Sequence, residues 1–506
     1  MTNHSQMFSH KSYNQDLIEK VAQGEYQNPN PASMYNMVVV GAGPAGLVCA
    51  MACAGLGAKV ALIEKKYLGG DCLNFGCVPS KAILSQAHRV QELSYFFRDQ
   101  IIEGQCRVNF SHVMKQMRKI RAKISVHDAK QKILDAGIDL FFGEAHFESK
   151  KSLRVGKDVL NFKKALIATG SQAKTLQLDG LSREDYHTSD TIFDVDQLPE
   201  SITLIGSGAI SCELAQAFAS LGSKVTIVTR SQRLLPKEDE EISHCLEKKF
   251  NQLGIDMHFS SRLYRYYKKN NRKYLVYEKD QKTYDCSAQE LLVCIGRRPN
   301  INDLDLEKAG VLYTKQGISV NEFLQTQNKN IFACGDVLGR SMHTHHADAQ
   351  ARVVVENALF SVPIVKPKKK YNPKYFPHCT YTSPEVAHMG LLNHSAKRKD
   401  LDCIRINCQE VDRYILDQTE EGFLKVWVDS KSHIYGVSMI GDHAGEIVST
   451  LALAMDQKIP LSRISSLTFS YPTKSEIIKK AADALQRKKL TPKIQKVLRK
   501  YFLWRR

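Results

Sequence analysis

The order of apolar and polar positions divides the chain before any chemistry is considered. Residues 1–33 are polar and read as a loose arm. YNMVVV (35–40) is a short β-rich run that ends in a glycine loop. A stretch of helical length follows, then KVALIE (59–64), so the pattern predicts a β-α-β unit of about thirty residues. SITLIG (201–206), a second glycine loop, a helical stretch and KVTIVTR (224–230) repeat it. KKALIATGS (163–171), LLVCIGRRPN (291–300) and IFACGDV (331–337) are strand-to-loop passages. VPIVKPKKKY (362–371) reads as a linker, and 375–470 mix strands and helices as a third domain. In the tail, Ile494, Val497, Leu498, Tyr501 and Phe502 follow the spacing of an apolar helical stripe. Two dinucleotide units in one chain point to electron transfer between two nucleotides.

Composition narrows the class. A chain of 506 residues, 43% hydrophobic and 25% charged, is globular, and its length predicts about three domains. No apolar run reaches the ~20 residues of a spanning helix, and the first residues lack the apolar core of a signal peptide. The expected location is therefore cytoplasmic. The net charge of +18 favours anionic partners. Residues 479–506, however, hold eleven Lys and Arg against one acid, Asp483. The body is not a uniformly basic nucleic-acid binder, and no nucleic-acid partner is expected. Most of the 13 cysteines stand singly in apolar context and read as buried small hydrophobes of a reducing compartment.

The first loop, Gly41-Ala42-Gly43-Pro44-Ala45-Gly46, fits G-x-G-x-x-G. The first glycine turns the chain, the second lets pyrophosphate approach, and the third allows close helix packing. Phosphate then meets the free N–H groups of a helix N-terminus. Glu64 ends the following strand, where a carboxylate can accept ribose hydroxyls. The second loop begins with Gly206 and Gly208 but has Ser211 in the third place. Its strand ends in Thr229-Arg230, with Arg233 three residues on and no acid for a ribose 2′-hydroxyl. Arg230 and Arg233 can hold a 2′-phosphate, so NADPH is favoured over NADH. The alternative makes both solvated loop cations.

The sharpest feature is Gly69-Gly70-Asp71-Cys72-Leu73-Asn74-Phe75-Gly76-Cys77-Val78-Pro79-Ser80-Lys81. Two thiols flank four residues in a glycine-rich turn, and a helix starting at the second would lower its pKa. Spacing alone leaves three readings open: a dithiol–disulfide pair, half of a metal site, or two free thiols.

GGDCLNFGCVPSKA resembles the active-site segment of class I flavoprotein disulfide reductases, the pyridine nucleotide-disulfide oxidoreductases. The resemblance covers roughly residues 34–485. It extends to ATGS (168–171), GRRPN (296–300) and ACGDV (333–337), in the family's order. It is nearest to mercuric-reductase-like and dihydrolipoamide-dehydrogenase-like members, through KVTIVTRSQRLL, CTYTSPEVAHMG and SYPTKSE. The implied fold is α/β: two Rossmann-like three-layer nucleotide-binding domains, for FAD (34–190 and 291–360) and NAD(P) (191–290), plus a C-terminal α+β dimerisation domain (371–480). A basic helical tail (481–506) follows. The implied enzyme is a homodimer that passes hydride from NAD(P)H into FAD, then to a Cys72–Cys77 disulfide and on to a small-molecule acceptor. Cys77 is implied as the charge-transfer thiol and Cys72 as the interchange thiol. Lys81 would pair with Glu213 near the flavin. Asp336, Gly143 and the Ala168-Thr169-Gly170 turn would line FAD. Gly296 and Arg297 would lie along the nicotinamide nucleotide.

The resemblance breaks at one catalytic position. The family's C-terminal His-Pro, followed by Glu, supplies the acid–base for the leaving thiol. Here Tyr471 precedes Pro472, and Glu476 keeps the acidic place. A phenol, with a pKa near ~10, is a poor base at neutral pH but a competent hydrogen-bond donor. Mercuric reductases share that tyrosine but also carry a late vicinal cysteine pair, whereas this chain has no cysteine after Cys408. The family's nicotinamide-gating aromatic is replaced by Ala209. His343, His345 and His346, where a helix should start, can be read as proton donors, a soft-metal site or helix-start polar residues. The expected acceptor is a disulfide, a soft metal ion or a quinone. The alternatives are a mercuric-type reductase or a slow membrane-surface redox sensor. The tail either lies on an anionic membrane, at the inner face, or packs its stripe on protein.

Overall fold

The computed structural model describes residues 12–361, 368–371, 375–392, 395–396 and 400–506. Its described residues divide into two compact units. The first lies within 1–206, 217–228 and 261–372, and the second within 207–216, 229–260 and 373–506.

In the first unit the predicted β-α-β pattern forms as read. Strand β1 (Tyr35–Val40) leads through helix α2 (Pro44–Gly55) to β2 (Val60–Glu64). With β3 (Asp139–Phe142), β4 (Ala145–Ser149), β5 (Ser152–Val155) and β6 (Asp158–Ile167) they make a sheet ordered β3-β2-β1-β6-β5-β4. Ile331–Ala333 adds a parallel strand against the end of β6. Strands β1 and β2 are parallel, with Val38 beside Ala61. Met37 through Val39 are fully buried, because a parallel sheet is covered on both faces. The second β-α-β pattern also forms. Here β7 (Ser201–Ile205) pairs in parallel with β8 (Lys224–Val228) and β9 (Glu290–Val293), and helix Ala209–Leu221 makes the crossover.

The second unit holds an antiparallel five-stranded sheet. Its order is His378–Thr380, Glu385–Gly390, Ile434–Gly441, Phe423–Val428, Asp402–Asn407. Helices Ala444–Asp456 and Glu476–Lys489 share one core with it, through Val448, Leu451, Ile477 and Leu485. This is the expected α+β architecture.

Two expectations need correction. Residues 1–33 are not a loose arm throughout: Ser12–Val21 form a helix, α1, with Leu17 and Val21 fully buried. The two apolar residues stand four apart, on one face, and join the core of the first unit. The remainder of that expectation, 1–11, lies outside the described residues, as does 362–367 of the expected linker. Nor does the basic helical tail begin at 481. Ala481, Ala482 and Leu485 are buried in Glu476–Lys489, and a new helix runs Pro492–Trp504. Thr491 caps it by accepting the Ile494 N–H, and Pro492 begins it where a missing N–H costs nothing.

Candidate active site

The dithiol segment is built by glycines. Gly69 takes φ 82° and Gly70 φ 57°, opening a short helix, α3 (Gly70–Asn74), that carries Cys72. A Cβ on Gly70 would stand 2.7 Å from the Cα of Gly43, so this glycine lets the dithiol turn pass against the first nucleotide loop. Cys77 is the first residue of helix α4 (Cys77–Arg98), where free N–H groups and the helix field favour a thiolate. Both cysteines are free thiols, Cys77 exposed and Cys72 half-buried. A hydrogen bond from Cys72 holds the Cys77 thiol below its usual value, at about 6. Burial opposes this, while the Thr344 hydroxyl and the Lys81 charge assist. The same hydrogen bond and burial push Cys72 upward. The shared hydrogen bond thus favours the thiolate at Cys77 over Cys72.

Thr344 was not singled out in the sequence. It opens helix Thr344–Leu359, and its Oγ1 lies 3.5 Å from the Cys77 Sγ. The helix begins at the histidine cluster, as expected, with His343 as its N-cap. The cluster itself divides. His346 is buried, its Nδ1 3.2 Å from the Ser341 carbonyl oxygen and its ring against Tyr371, and burial lowers its pKa. The His343 and His345 rings lie 5.6 Å apart. Among the described residues, no group of three or more His, Cys, Asp or Glu gathers as a metal site.

The first loop holds its residues where the pattern asked. A Cβ on Gly46 would stand 1.8 Å from the Gly41 oxygen, and one on Gly41 2.4 Å from the Ala168 oxygen. Gly43 caps α2 without a side chain over its first-turn N–H groups. Glu64 turns back on this loop: it accepts the N–H of Ala42 and of Lys66, each at 2.8 Å. Burial raises its pKa against these bonds. Gly143 donates its N–H to the Glu64 carbonyl at 2.9 Å.

The later motifs lock onto one another. Thr169 donates to the Asn300 carbonyl at 2.7 Å, Asn300 Nδ2 returns to the Thr169 carbonyl at 2.9 Å, and Asn300 N–H reaches Gly170 O at 3.0 Å. Gly296, at φ 102°, accepts the Lys174 N–H. Arg297 is committed to protein partners. It donates to Asp71 Oδ1 at 2.8 Å, to Ser171 Oγ at 2.8 Å and to the Ser171 carbonyl at 3.0 Å. Ser171 in turn donates to Asp336 at 2.6 Å. Arg297 thereby ties the residue before Cys72 to the ACGDV turn. No sequence signal pairs Asp71 with an arginine so far away.

Near the second glycine loop, Gly206 takes φ 123°, and a Cβ there would stand 2.4 Å from the Cys294 oxygen. A Cβ on Gly208 would meet open space. Arg230 is exposed. Arg233 is turned to its own loop, donating to the carbonyls of Pro236 at 3.3 Å and Glu238 at 3.4 Å. In the second unit Glu213 is buried and accepts the Tyr381 N–H at 2.9 Å. Tyr471 is 70% exposed and donates to Asp412 at 3.0 Å, which raises the phenol's pKa. Glu476 accepts the Thr473 N–H at 3.3 Å. The structure therefore hydrogen-bonds Tyr471 to Asp412.

Residues 35–351 match the family model for pyridine nucleotide-disulphide oxidoreductases, and 376–482 match that family's dimerisation domain. A dihydrolipoyl dehydrogenase of Bacillus subtilis (strain 168) is 31% identical over 454 residues, covering 88% of this chain and 97% of its own. A mercuric reductase of Lysinibacillus sphaericus is 30% identical over 479 residues, covering 93% of this chain and 86% of its own. Among solved structures, a Cu(II) complex of the HOCl-induced flavoprotein disulfide reductase RclA from Escherichia coli superposes with a TM-score of 0.78. It is 24% identical and covers 90% of this chain and 100% of its own.

Proposed function

Since the chain belongs to the pyridine nucleotide-disulphide oxidoreductase family, we propose that it is an NADPH-preferring reductase whose Cys72–Cys77 pair hands electrons to a small-molecule acceptor met at the thiols. The family uses FAD and a pyridine nucleotide, and electrons pass from NAD(P)H through FAD to the disulfide. The first loop fits FAD: the N-terminus of α2 carries no capping side chain, and a Cβ on Gly43 would find its nearest neighbour only at 3.8 Å. Bound there, FAD supplies the two-electron link between nicotinamide and thiols.

This chain's residues do the rest. The N–H groups after Gly43 hold pyrophosphate. Glu64, at the end of β2 with its carboxylate on the Ala42 and Lys66 N–H groups, is assigned to the ribose hydroxyls. Gly143, Ala168, Thr169, Gly170 and Asp336 would line FAD, with Lys81 assigned to the flavin edge. Gly206, Gly208 and Gly296 serve the nicotinamide nucleotide. Arg230 supplies the main charge for a 2′-phosphate, because Arg233 is occupied by its own loop. Tyr471 donates a hydrogen bond rather than taking a proton, with Glu476 close in sequence. The dimerisation domain makes the homodimer.

The observation that carries this reading is the placement of the thiols: Cys77 opens helix α4 with the Thr344 Oγ1 3.5 Å from its Sγ, and Cys72 on α3 hydrogen-bonds to it. It favours a disulfide or soft-metal acceptor over a quinone, which needs only the flavin. A Cys72→Ser variant separates them. NADPH should still bleach its FAD, while turnover with disulfides and soft metals disappears; turnover that survives with both overturns the proposal.

A second reading concerns the tail and rests on its exposure. In Pro492–Trp504 no residue is buried, and Val497, Phe502 and Trp504 are 66%, 58% and 81% exposed. The helix bears Lys493, Lys496, Arg499 and Lys500, with Arg505 and Arg506 beyond it, and no acid. A cationic helix with an open aromatic face suits an anionic bilayer. The buried single cysteines, such as Cys49, Cys53, Cys212 and Cys408, suit a reducing cytoplasm, so the bilayer would be met from that side. No described helix is long and apolar enough to cross a membrane.

A further inference from the structure

Helix α1 precedes the family match, which begins at residue 35. It nevertheless reaches the dithiol turn at two places. Its last residue, Val21, accepts the Leu68 N–H at 2.9 Å, and Ala22 bridges to Tyr67. These contacts fix the chain immediately before Gly69. At the other end of α1, Asn14 accepts from Arg121 Nη2 at 2.9 Å, and Arg121 Nη1 donates to the Asn74 carbonyl at 2.8 Å. Arg121 lies on helix α5 (Phe110–Ile124). The Asn74 side chain closes the arrangement by donating to Leu68 O at 3.0 Å and Gly70 O at 2.8 Å. Leu68 is thus held on its N–H by α1 and on its carbonyl by the turn.

All three polar residues are shut from water: Asn14 and Arg121 are 1% exposed and Asn74 is 0%. A buried guanidinium is costly to leave unpaired, so loss of either the Asn14 or the Asn74 bond carries a penalty. The guanidinium also sits at the carbonyl end of α3, where a helix leaves acceptors unpaired. Asn74 lies between the two cysteines, and a disulfide tolerates only a narrow range of Cβ separations. Further along the same segment, Asn28 and Phe142 exchange two hydrogen bonds, at 2.9 and 2.8 Å, on the edge strand β3. The segment 12–28 is therefore anchored beyond the turn as well.

From these contacts we propose that the N-terminal segment is a strap that sets the geometry of the Cys72–Cys77 turn, with Asn14 and Arg121 as its positioning residues. The strap acts through the backbone of Leu68–Asn74 and biases the balance between dithiol and disulfide. It rests on the redox reading of Cys72–Cys77.

The test uses the full chain. The dithiol–disulfide equilibrium of Cys72–Cys77 is measured against a glutathione buffer, and the pH profile of Cys77 alkylation is read beside it. Asn14→Leu removes the acceptor, Asn14→Asp keeps one, and Arg121→Met removes the donor. Asn14→Leu and Arg121→Met should each shift the equilibrium constant at least threefold and displace the alkylation profile, whereas Asn14→Asp should stay with the parent. Should Arg121→Met not fold, the Asn14 pair decides alone. Lower melting temperatures with an unchanged equilibrium and profile would make α1 a structural prop and overturn the strap. Failure of the parent to cycle at all would instead overturn the redox reading.

Discussion

At the residue scale, the chemistry of the site turns on which thiol is ionised. The helix start at Cys77 and the flanking glycines were legible in the sequence, and so was the four-residue spacing to Cys72. Thr344 was not: it stands 267 residues away, between two histidines, and no spacing rule links it to Cys77. Its hydroxyl stabilises the Cys77 thiolate, so removing it must raise the thiol's pKa. Thr344→Val should move the midpoint of Cys77 alkylation from about 6 upward, by roughly one pH unit, the order of one modest hydrogen bond to a charged group. Rates of iodoacetamide labelling across pH 4–9 read it, and an unmoved midpoint would remove Thr344 from the site. Glu64 teaches a related lesson. Its place at the end of a strand was readable, but its turn back onto the Ala42 and Lys66 amides depends on the loop's folded path.

At the element scale, both β-α-β units were legible because a strand, a glycine loop and a helix are local patterns, enforced by neighbours a few residues apart. Helix α1 was missed because its apolar signal is short, Leu17 and Ile18 with Val21, in a polar stretch. What makes it a helix is the core it packs on, since isolated helices of this length are marginal in water. The tail shows the opposite case. Its stripe was legible, but only the structure splits it: residues through Leu485 are built into the second unit, and Pro492–Trp504 stands exposed. Deleting 491–506 should release the protein from vesicles rich in anionic lipid, by tenfold or more in partition if each basic residue near the surface contributes about 1 kcal/mol. Co-sedimentation with anionic and with purely zwitterionic vesicles checks this. Absence of binding by the full chain would leave the exposed face for a protein partner.

At the scale of the whole molecule, the match of 376–482 to a dimerisation domain predicts a stable pair of 57.1 kDa chains. Sedimentation equilibrium across micromolar concentrations should return twice the chain mass, and a persistent monomer would contradict the assembly. The sequence by itself determined the family, the α/β class, the two glycine loops and the four-residue spacing of Cys72 and Cys77. Each of these is written in residues near one another, where glycine conformations, helix starts and thiol spacing act locally. Only the tertiary structure decided what surrounds the thiols: Thr344 on Cys77, Arg297 on Asp71 across 226 residues, and Asn14 on Arg121 across 107. Those contacts join groups with no spacing rule between them. A buried charge or an ionised thiol takes as its partner whichever polar group the packed core brings within reach, and that is settled by the fold.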